Sequence, residues 1–478
     1  MFFKLNLQQI QTMFIKQLYT ACLSEAAYYI ESNGEAAIID PIRDIDEYLQ
    51  LAKERNTSIK YIFETHFHAD FVSGHIDLSK ATGAPIIFGP MANTNYKIEN
   101  ATDGQIYTLG NLKIKVIHTP GHTLESVCYL LHDEENNPHA IFTGDTLFVG
   151  DVGRPDLSSG NLSSEDLAET LYDSLTEKII PLPNAVIVYP AHGPGSSCGK
   201  NIGPNTFSTI GEEKKTNYAL KPQSKEDFVT AVTTGLNIAP AYFPINAAIN
   251  KKGYEPIEVV KATGTTALSI NDFKKAVADG AIILDTRHAT VFTNGFIPTS
   301  IFMGLEGRFA EWAGTLLPFD KKIVLVADES KETETVLRLA RVGFDKVIGY
   351  LKGGFETWSN SGEKIDMIVD VEPDELIMDI PHDPNITIVD VRRETEFAAG
   401  HLKTASNFPL AEINDITLLS QFEETENIYV HCQGGYRSVI ASSILKREGI
   451  HNIRNVLGGW AKIKEEEGVK IVKEKVIA

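Results

Sequence analysis

The sequence predicts an α/β chain in three parts, and three observations carry that prediction. Strand-like and helix-like stretches alternate from about residue 15 to 250. Within that span, polar side chains of metal-ligand type recur in loops that directly follow apolar strands. Behind it, one pattern of roughly 100 residues is written twice, at a constant offset of 105 positions. The predicted parts are residues 1–250, 251–365 and 366–478.

In chain order, Met1 to Phe14 mixes Lys4, Asn6 and several glutamines through its apolar residues, which is not the pattern of a signal peptide. Ala36-Ala37-Ile38-Ile39-Asp40-Pro41 reads as a strand ending at a turn, and Asp46 to Arg55 as a helix carrying Tyr48, Leu49 and Ala52. Next comes the stretch that carries most of the chemistry. The apolar run Tyr61-Ile62-Phe63 leads into Thr65-His66-Phe67-His68-Ala69-Asp70-Phe71. At strand pitch residues i and i+2 share a side, so two imidazoles and a carboxylate are expected to face one pocket. Imidazole with carboxylate suits zinc or iron.

Three later strand ends repeat the arrangement. His122 follows Pro120-Gly121 after Leu112 to Ile117, Asp145 follows Ala140-Ile141-Phe142-Thr143-Gly144, and His192 follows Ala185 to Val188 within Tyr189-Pro190-Ala191-His192-Gly193. One polar loop is explained by hydrogen-bonded histidines, but four such strand ends are not, so a metal centre is expected. Ser164 to Leu175 reads as a helix capped at Ser163 or Ser164, and Ser224-Lys225-Glu226-Asp227 as a capping box opening another helix up to Gly235. Asn237 to Tyr254, with its prolines, asparagines and lysines, reads as an irregular linker.

The repeat follows. Ile283-Leu284-Asp285-Thr286-Arg287 parallels Ile388-Val389-Asp390-Val391-Arg392, Gly295-Phe296-Ile297 parallels Gly400-His401-Leu402, and Gly353-Gly354-Phe355 parallels Gly458-Gly459-Trp460. Each copy alternates strand and helix, predicting a small parallel sheet. In the second copy the strand Ile428 to His431 runs into Cys432-Gln433-Gly434-Gly435-Tyr436-Arg437-Ser438. A cysteine on a Gly-rich loop before a helix meets backbone N–H groups and the positive end of the helix dipole, which favour thiolate. The first copy has Ala327 there, followed by Asp328 and Glu329, so it is expected to be catalytically dead.

Composition narrows the partners. Hydrophobic residues at 43% and charged residues at 23% describe an ordinary globular chain, and the net charge of −20 argues against nucleic acid or an anionic membrane. No apolar run reaches membrane-spanning length. The four cysteines, Cys22, Cys128, Cys198 and Cys432, are too scattered for a disulfide framework, which points to a reducing cytoplasm. Cys22 and Cys128, in apolar strand-like contexts, are expected to be inert core residues.

On the loop of Cys432, with Asp390-Val391-Arg392, Glu396-Phe397 and Asn455 to Trp460, the second copy resembles a rhodanese domain. The resemblance implies that Cys432 carries a sulfane sulfur as a persulfide, with Gln433, Gly434, Gly435, Tyr436 and Arg437 around the substrate. Phosphatases are the alternative, but only four residues separate Cys432 from Arg437 where their loop has five. The first 250 residues resemble the metallo-β-lactamase fold, an αββα sandwich with its metal at one edge of the sheets. The spacing is similar to that of the persulfide dioxygenases. That resemblance implies one Fe(II) per chain, held by His66, His122 and Asp145, with His68, Asp70 and His192 orienting ligands or bonding water and substrate.

Two-metal hydrolases of the superfamily, such as hydroxyacylglutathione hydrolase, carry a histidine where this chain has Phe71, which removes a ligand from a second site. Arg154, in Gly150-Asp151-Val152-Gly153-Arg154-Pro155-Asp156, is expected either to bind a substrate carboxylate or to pair with Asp151 or Asp156 at the surface. Cys198 is expected near the metal pocket, where the resemblance gives it a part in sulfur handling.

Together these imply a persulfide dioxygenase–rhodanese fusion acting on a small thiol persulfide and O2, with sulfite and thiosulfate as its inorganic sulfur species and a dimer or tetramer as its assembly. The alternatives are a zinc thioester hydrolase fused to a sulfur carrier, and a non-enzymatic scaffold with a structural metal.

Overall fold

Two runs of short strands, each with one apolar face, dictate the architecture of the first part of the chain. In this computed structural model, which describes residues 13–157, 162–236, 238–415, 417, 421–422 and 425–474, the runs form two six-stranded sheets. The first consists of Phe14–Thr20 (β1), Glu25–Ser32 (β2), Glu35–Ile39 (β3), Ser58–Phe63 (β4), Ile86–Phe88 (β5) and Glu99–Asn100 (β6), in that spatial order. The second orders Ile106–Leu109 (β7), Leu112–His118 (β8), Val127–His132 (β9), Pro138–Gly144 (β10), Ile187–Pro190 (β11) and Ser208–Thr209 (β12) from β12 back to β7. β3 to β6 are parallel, as is β10 with β11. Parallel neighbours leave their carboxyl ends, and the loops that follow, at one edge.

The sheets pack face to face. Tyr28, Ile30, Ile39, Phe63 and Ile87 of the first meet Leu109, Ile114, Val116, Tyr129 and Phe142 of the second in one buried cluster. Each such side chain contributes about 1.5–3 kcal/mol of burial. The outer face of the second sheet, with Ile117, Cys128, Leu130 and Ile141, is covered by Ser164–Ser174 (α3) and Lys225–Thr233 (α5) through Leu171 and Phe228. Asp46–Arg55 (α1) and His75–Thr82 (α2) lie against β4 of the other sheet. The layers are thus αββα, as the metallo-β-lactamase resemblance implies.

Ser163 caps α3 in a full capping box, Thr209 caps the short helix Ile210–Thr216 (α4), and Ser224 caps α5. Two expectations are corrected. The stretch read as a linker contains a helix, Phe243–Lys252 (α6), with a proline in its first turn, where no N–H is needed. Its buried face is Phe243, Asn246 and Asn250. Helical spacing is present, but two of the three buried residues are amides, so hydropathy conceals it. Cys22 is not a core residue either: it is half-buried in the turn between β1 and β2, whereas Cys128 is buried in β9. The expectation about a signal peptide concerns a segment of which residues 1–12 lie outside the described residues.

The chain divides into two compact units, Met1–Ile257 with Ala340–Gly343, and Glu258–Leu339 with Phe344–Ala478. The second unit holds both copies of the repeat. Ala267–Leu268 (β13), Ile282–Asp285 (β14), Ile301–Phe302 (β15), Ile323–Val326 (β16) and Val347–Leu351 (β17) are ordered β13-β17-β16-β14-β15. Val369–Val371 (β18), Ile386–Asp390 (β19), His401–Leu402 (β20), Ala405–Asn407 (β21), Asn427–His431 (β22), Ile453–Val456 (β23) and Ile471–Val472 (β24) follow. They give the five-stranded order β18-β23-β22-β19-β21 and a separate β20–β24 pair. The two five-stranded sheets share one topology and are parallel throughout. Among the described residues no helix is long and apolar enough to cross a membrane.

Candidate metal centre and cysteine loop

His66 is oriented by a chain of hydrogen bonds that begins at the end of β3. Asp40 accepts from the Thr65 backbone N–H at 2.7 Å and from the Thr65 hydroxyl at 2.9 Å. That hydroxyl has then spent its only hydrogen, so its contact with His66 Nδ1 at 2.9 Å requires Nδ1–H to be the donor. Nε2 of His66 is left facing Asp145 Oδ2 at 3.7 Å. His122 is set in the same way. Its Nδ1 donates to the Arg154 carbonyl at 2.8 Å, which turns Nε2 toward Asp145 Oδ2 at 3.4 Å. Gly153 is needed beside them, because a Cβ there meets the Asp145 carbonyl oxygen and the His122 ring.

Three buried acceptors therefore converge with no hydrogen to share, and Asp145 Oδ2 has no hydrogen-bond partner. Leaving such a group unsatisfied costs about 1–3 kcal/mol, and more when it is charged. A cation among the three removes that cost. Burial, with the His68 imidazole beside it, holds His66 well below the usual imidazole range, so the ring stays neutral. Burial opposes charge on Asp145, but the His192, His66 and His122 imidazoles outweigh it and hold the carboxyl well below its usual range. Two imidazoles and a carboxylate on one face form a donor set that fits a divalent transition metal.

His68 and Asp70 do not join this cluster. β4 ends at Phe63, so the pleat that would align residues 66, 68 and 70 does not extend to them. His68 turns to Asp40 and Glu64, its Nε2 at 3.1 Å and 3.7 Å from their carboxylates. Asp70 instead meets His192 and Cys198, and the ligand-type atoms of these three lie within 4.8 Å of one another. His192 links the two groups, Nδ1 to Asp145 and Nε2 to Asp70, each at 2.7 Å. Burial lowers its pKa, but the two carboxylates override that and raise it well above the ordinary value. Burial pushes the Cys198 thiol well up, and Asp70 and Asp145 push it further.

Arg154 is buried, not at the surface. Its guanidinium grips Asp156 through Nε and Nη2 at 2.9 and 2.7 Å, while its carbonyl holds His122. Phe71 is fully buried against the His68 ring, centroids 4.3 Å apart. Sequence reasoning missed Asn250 of α6. Its amide accepts from Ser73 N–H and donates to the carbonyls of His68 and Phe71, at 2.9, 2.8 and 2.8 Å. It therefore holds the loop that presents His66 and Asp70. The helical spacing 243, 246, 250 was the available signal.

The second candidate site lies at the end of β22. Cys432 is buried, and Gly435 N–H points at its Sγ from 3.1 Å. The helix Tyr436–Arg447 starts directly behind Gly435, whose φ is +104°. The loop is braced from below, with Trp460 and Ala461 N–H donating to the carbonyls of Cys432 and Gln433 at 2.6 and 3.0 Å. Gly459 is required there, since a Cβ runs into the Cys432 carbonyl. Gln433 and Gly434 are exposed at the mouth. Arg437 makes a two-pronged pair with Glu396 at 2.7 and 2.8 Å, and the Tyr436 hydroxyl donates to the Gly304 carbonyl of the first copy at 2.7 Å. In that copy Ala327 follows β16 where Cys432 follows β22.

Comparison with known proteins identifies the domains that carry these two sites. The metallo-beta-lactamase superfamily model matches residues 21–192, and the rhodanese-like domain model matches 269–361 and again 372–466. The mitochondrial persulfide dioxygenase ETHE1 of Bos taurus is 34% identical over 199 residues, 41% of this chain and 70% of that protein. The mitochondrial hydroxyacylglutathione hydrolase of Saccharomyces cerevisiae is 30% identical over 223 residues, 44% of this chain and 77% of that protein. A solved structure of a metallo-beta-lactamase from Staphylococcus aureus subsp. aureus COL, 32% identical, matches with a TM-score of 0.64 over 71% of this chain and 99% of that one. Hydrolase and dioxygenase relatives are similarly close. The chain belongs to the metallo-β-lactamase superfamily and carries two rhodanese-like domains in tandem behind that domain.

Proposed function

We propose that the first domain oxidises a low-molecular-weight thiol persulfide with O2 to sulfite, and that Cys432 carries sulfane sulfur to or from the sulfite–thiosulfate couple. The observation that carries the reading is the face formed by His66, His122 and Asp145, which would hold one Fe(II) and leave positions for two further ligands. Phe71 supports it, because the histidine that hydroxyacylglutathione hydrolases use for their second metal is replaced by a buried hydrocarbon. The balanced reaction is R–S–SH + O2 + H2O → R–SH + SO3²⁻ + 2 H⁺. Held by His66, His122 and Asp145, iron would supply the redox chemistry that O2 activation requires.

The protein's own groups do the rest. Thr65 and the Arg154 carbonyl fix the tautomer and tilt of the two imidazoles. His192 keeps the Asp145 carboxylate turned so that Oδ2 faces the ligands. At the other site, Gly435 N–H and the helix start behind it face the sulfur that Cys432 would carry, and Arg437, anchored by Glu396, offers charge to an oxyanion. Sulfite is a product of one site and a co-substrate of the other, which gives the fusion a chemical reason.

The test is iron content of anaerobically purified protein together with O2 consumption on glutathione persulfide. About one iron at the His66 face with persulfide-dependent O2 uptake and sulfite release is expected, all lost in His122→Ala while thiosulfate sulfur transfer persists. Thioester hydrolysis without O2 uptake would favour the hydrolase relatives instead.

A further inference from the structure

We infer that the turn Ala340–Gly343, numbered within the copy that lacks the cysteine, positions the metal centre, with Arg341 as its positioning residue. The first compact unit takes in these four residues, although they fall inside the first rhodanese-like match, 269–361. Three consecutive amides of the loop that presents His66 and Asp70 are each held by a different segment. Gly74 N–H donates to the Pro41 carbonyl at 2.7 Å, and Ser73 N–H to the Asn250 side-chain oxygen at 2.9 Å. Val72 N–H donates to the Arg341 carbonyl at 2.7 Å. Val72 is fully buried, and a buried N–H needs an acceptor. The turn supplies it.

The turn is gripped by the segment that also orients His66. Asp40 begins the hydrogen-bond chain that reaches His66 through Thr65. Further along, Asp44 accepts from Arg341 Nε and Nη2 at 2.7 and 2.6 Å, a two-pronged pair that fixes the guanidinium. The buried Arg43 donates to the Ala340 carbonyl at 3.3 Å. Residues 40–44 and 340–343 thus bracket the end of the metal loop. The second copy shows that the turn is adapted and not merely inherited. Its turn, 446–449, keeps the same closing bonds: Gly449 N–H to the Lys446 carbonyl and Ile450 N–H to that of Leu445 match Gly343 to Ala340 and Phe344 to Leu339. Yet Val342 is fully buried, whereas Glu448, which answers to it, is exposed. A valine where the sister turn has a solvated carboxylate suits a turn packed inside the first unit. The inference rests on the metal centre at the His66 face and not on the substrate proposed for it.

The experiment uses the full chain. In the metal-free protein, hydrogen–deuterium exchange of peptides covering residues 65–74 should speed up in Arg341→Ala and in Asp44→Ala. Loaded with Co(II) alone and followed by visible absorption, both variants should lose the ion to a chelator at least roughly 10-fold faster than wild type. Asp44→Ala reaches the pair from its other side, which guards against a misfolded Arg341 variant. The double variant should be no worse than either single one, because all three remove the same pair. Arg447→Ala, at the corresponding place in the second copy, should leave both readings at wild-type values. Sulfur transfer at Cys432 should persist throughout. Wild-type exchange and Co(II) release in Arg341→Ala overturn the inference, as do additive losses in the double variant or equal losses in Arg447→Ala. Faster exchange with unchanged Co(II) release overturns it too, since the turn would then brace the fold without positioning the centre. Persulfide-dependent O2 uptake, measured separately, reports on the dioxygenase reading alone.

Discussion

The two rhodanese-like copies keep one scaffold and differ in one loop. In the first copy Asp285 holds Arg287, whose Nη2 reaches the Gly295 carbonyl at 2.9 Å while the guanidinium lies over the Phe355 ring. In the second, Asp390 holds Arg392, which reaches the Gly400 carbonyl at 2.8 Å and lies over Trp460. Both aspartates end an inner strand of a sheet of the same strand order. At the loop the copies diverge: Cys432 answers to Ala327, Arg437 to Glu332, and Glu396 to Val291. The buried ion pair belongs to the fold, and the cysteine loop with its arginine anchor belongs to the chemistry. Losing the second leaves the first intact.

The largest effect should come from Cys432→Ser, which abolishes thiosulfate-to-thiol sulfur transfer. Ala327→Cys should confer none, because Glu332 stands where the anion-binding arginine is needed. Activity in the Ala327→Cys, Cys432→Ser double variant would break the distinction. Next, Arg287→Ala and Arg392→Ala should destabilise their own copies similarly, by about 3–5 kcal/mol each, since each strands a buried carboxylate. Urea unfolding followed copy by copy tests this, and a much smaller loss in the first copy would mean its scaffold has decayed as well.

Glu396→Gln should act on the active copy alone. The pair with Arg437 is partly exposed and worth about 1 kcal/mol, so kcat/KM for thiosulfate should fall roughly fivefold. Burial opposes the Glu396 charge, but Arg437 outweighs it and holds the carboxyl below the ordinary value of 4.5. The stability advantage over Glu396→Gln should therefore be complete above that pH and disappear as pH falls through the lowered pKa. An advantage unchanged from pH 7 to pH 3 would contradict this. Smallest of all, Tyr436→Phe removes one hydrogen bond to Gly304 and should cost about 1 kcal/mol in thermal unfolding.

The strand ends were legible because their signals are local. An apolar run marks each of β4, β8, β10 and β11, with glycine or proline at the end of the last three, and the residue beyond is read directly. The repeat was legible through its constant spacing. What could not be read is direction past a strand's end. Alternation assigned residues 66, 68 and 70 to one pocket, whereas the loop sends each into a different cluster. Asn250 was hidden for another reason. It acts on a loop 182 residues upstream, and a helix with amides on its buried face gives no apolar stripe to find.

That last contact constrains how the protein is made. The loop carrying His66 is fastened by a side chain translated 182 residues after His68. A nascent chain in which α6 is still inside the ribosome has made the residues of the metal centre but not the amide that holds their loop. Loading of the ion then belongs to a late stage of synthesis, after the first domain is released as a whole. A chain stalled before Asn250 would expose imidazoles and carboxylates on an unfastened loop, able to pick up whichever ion is most abundant.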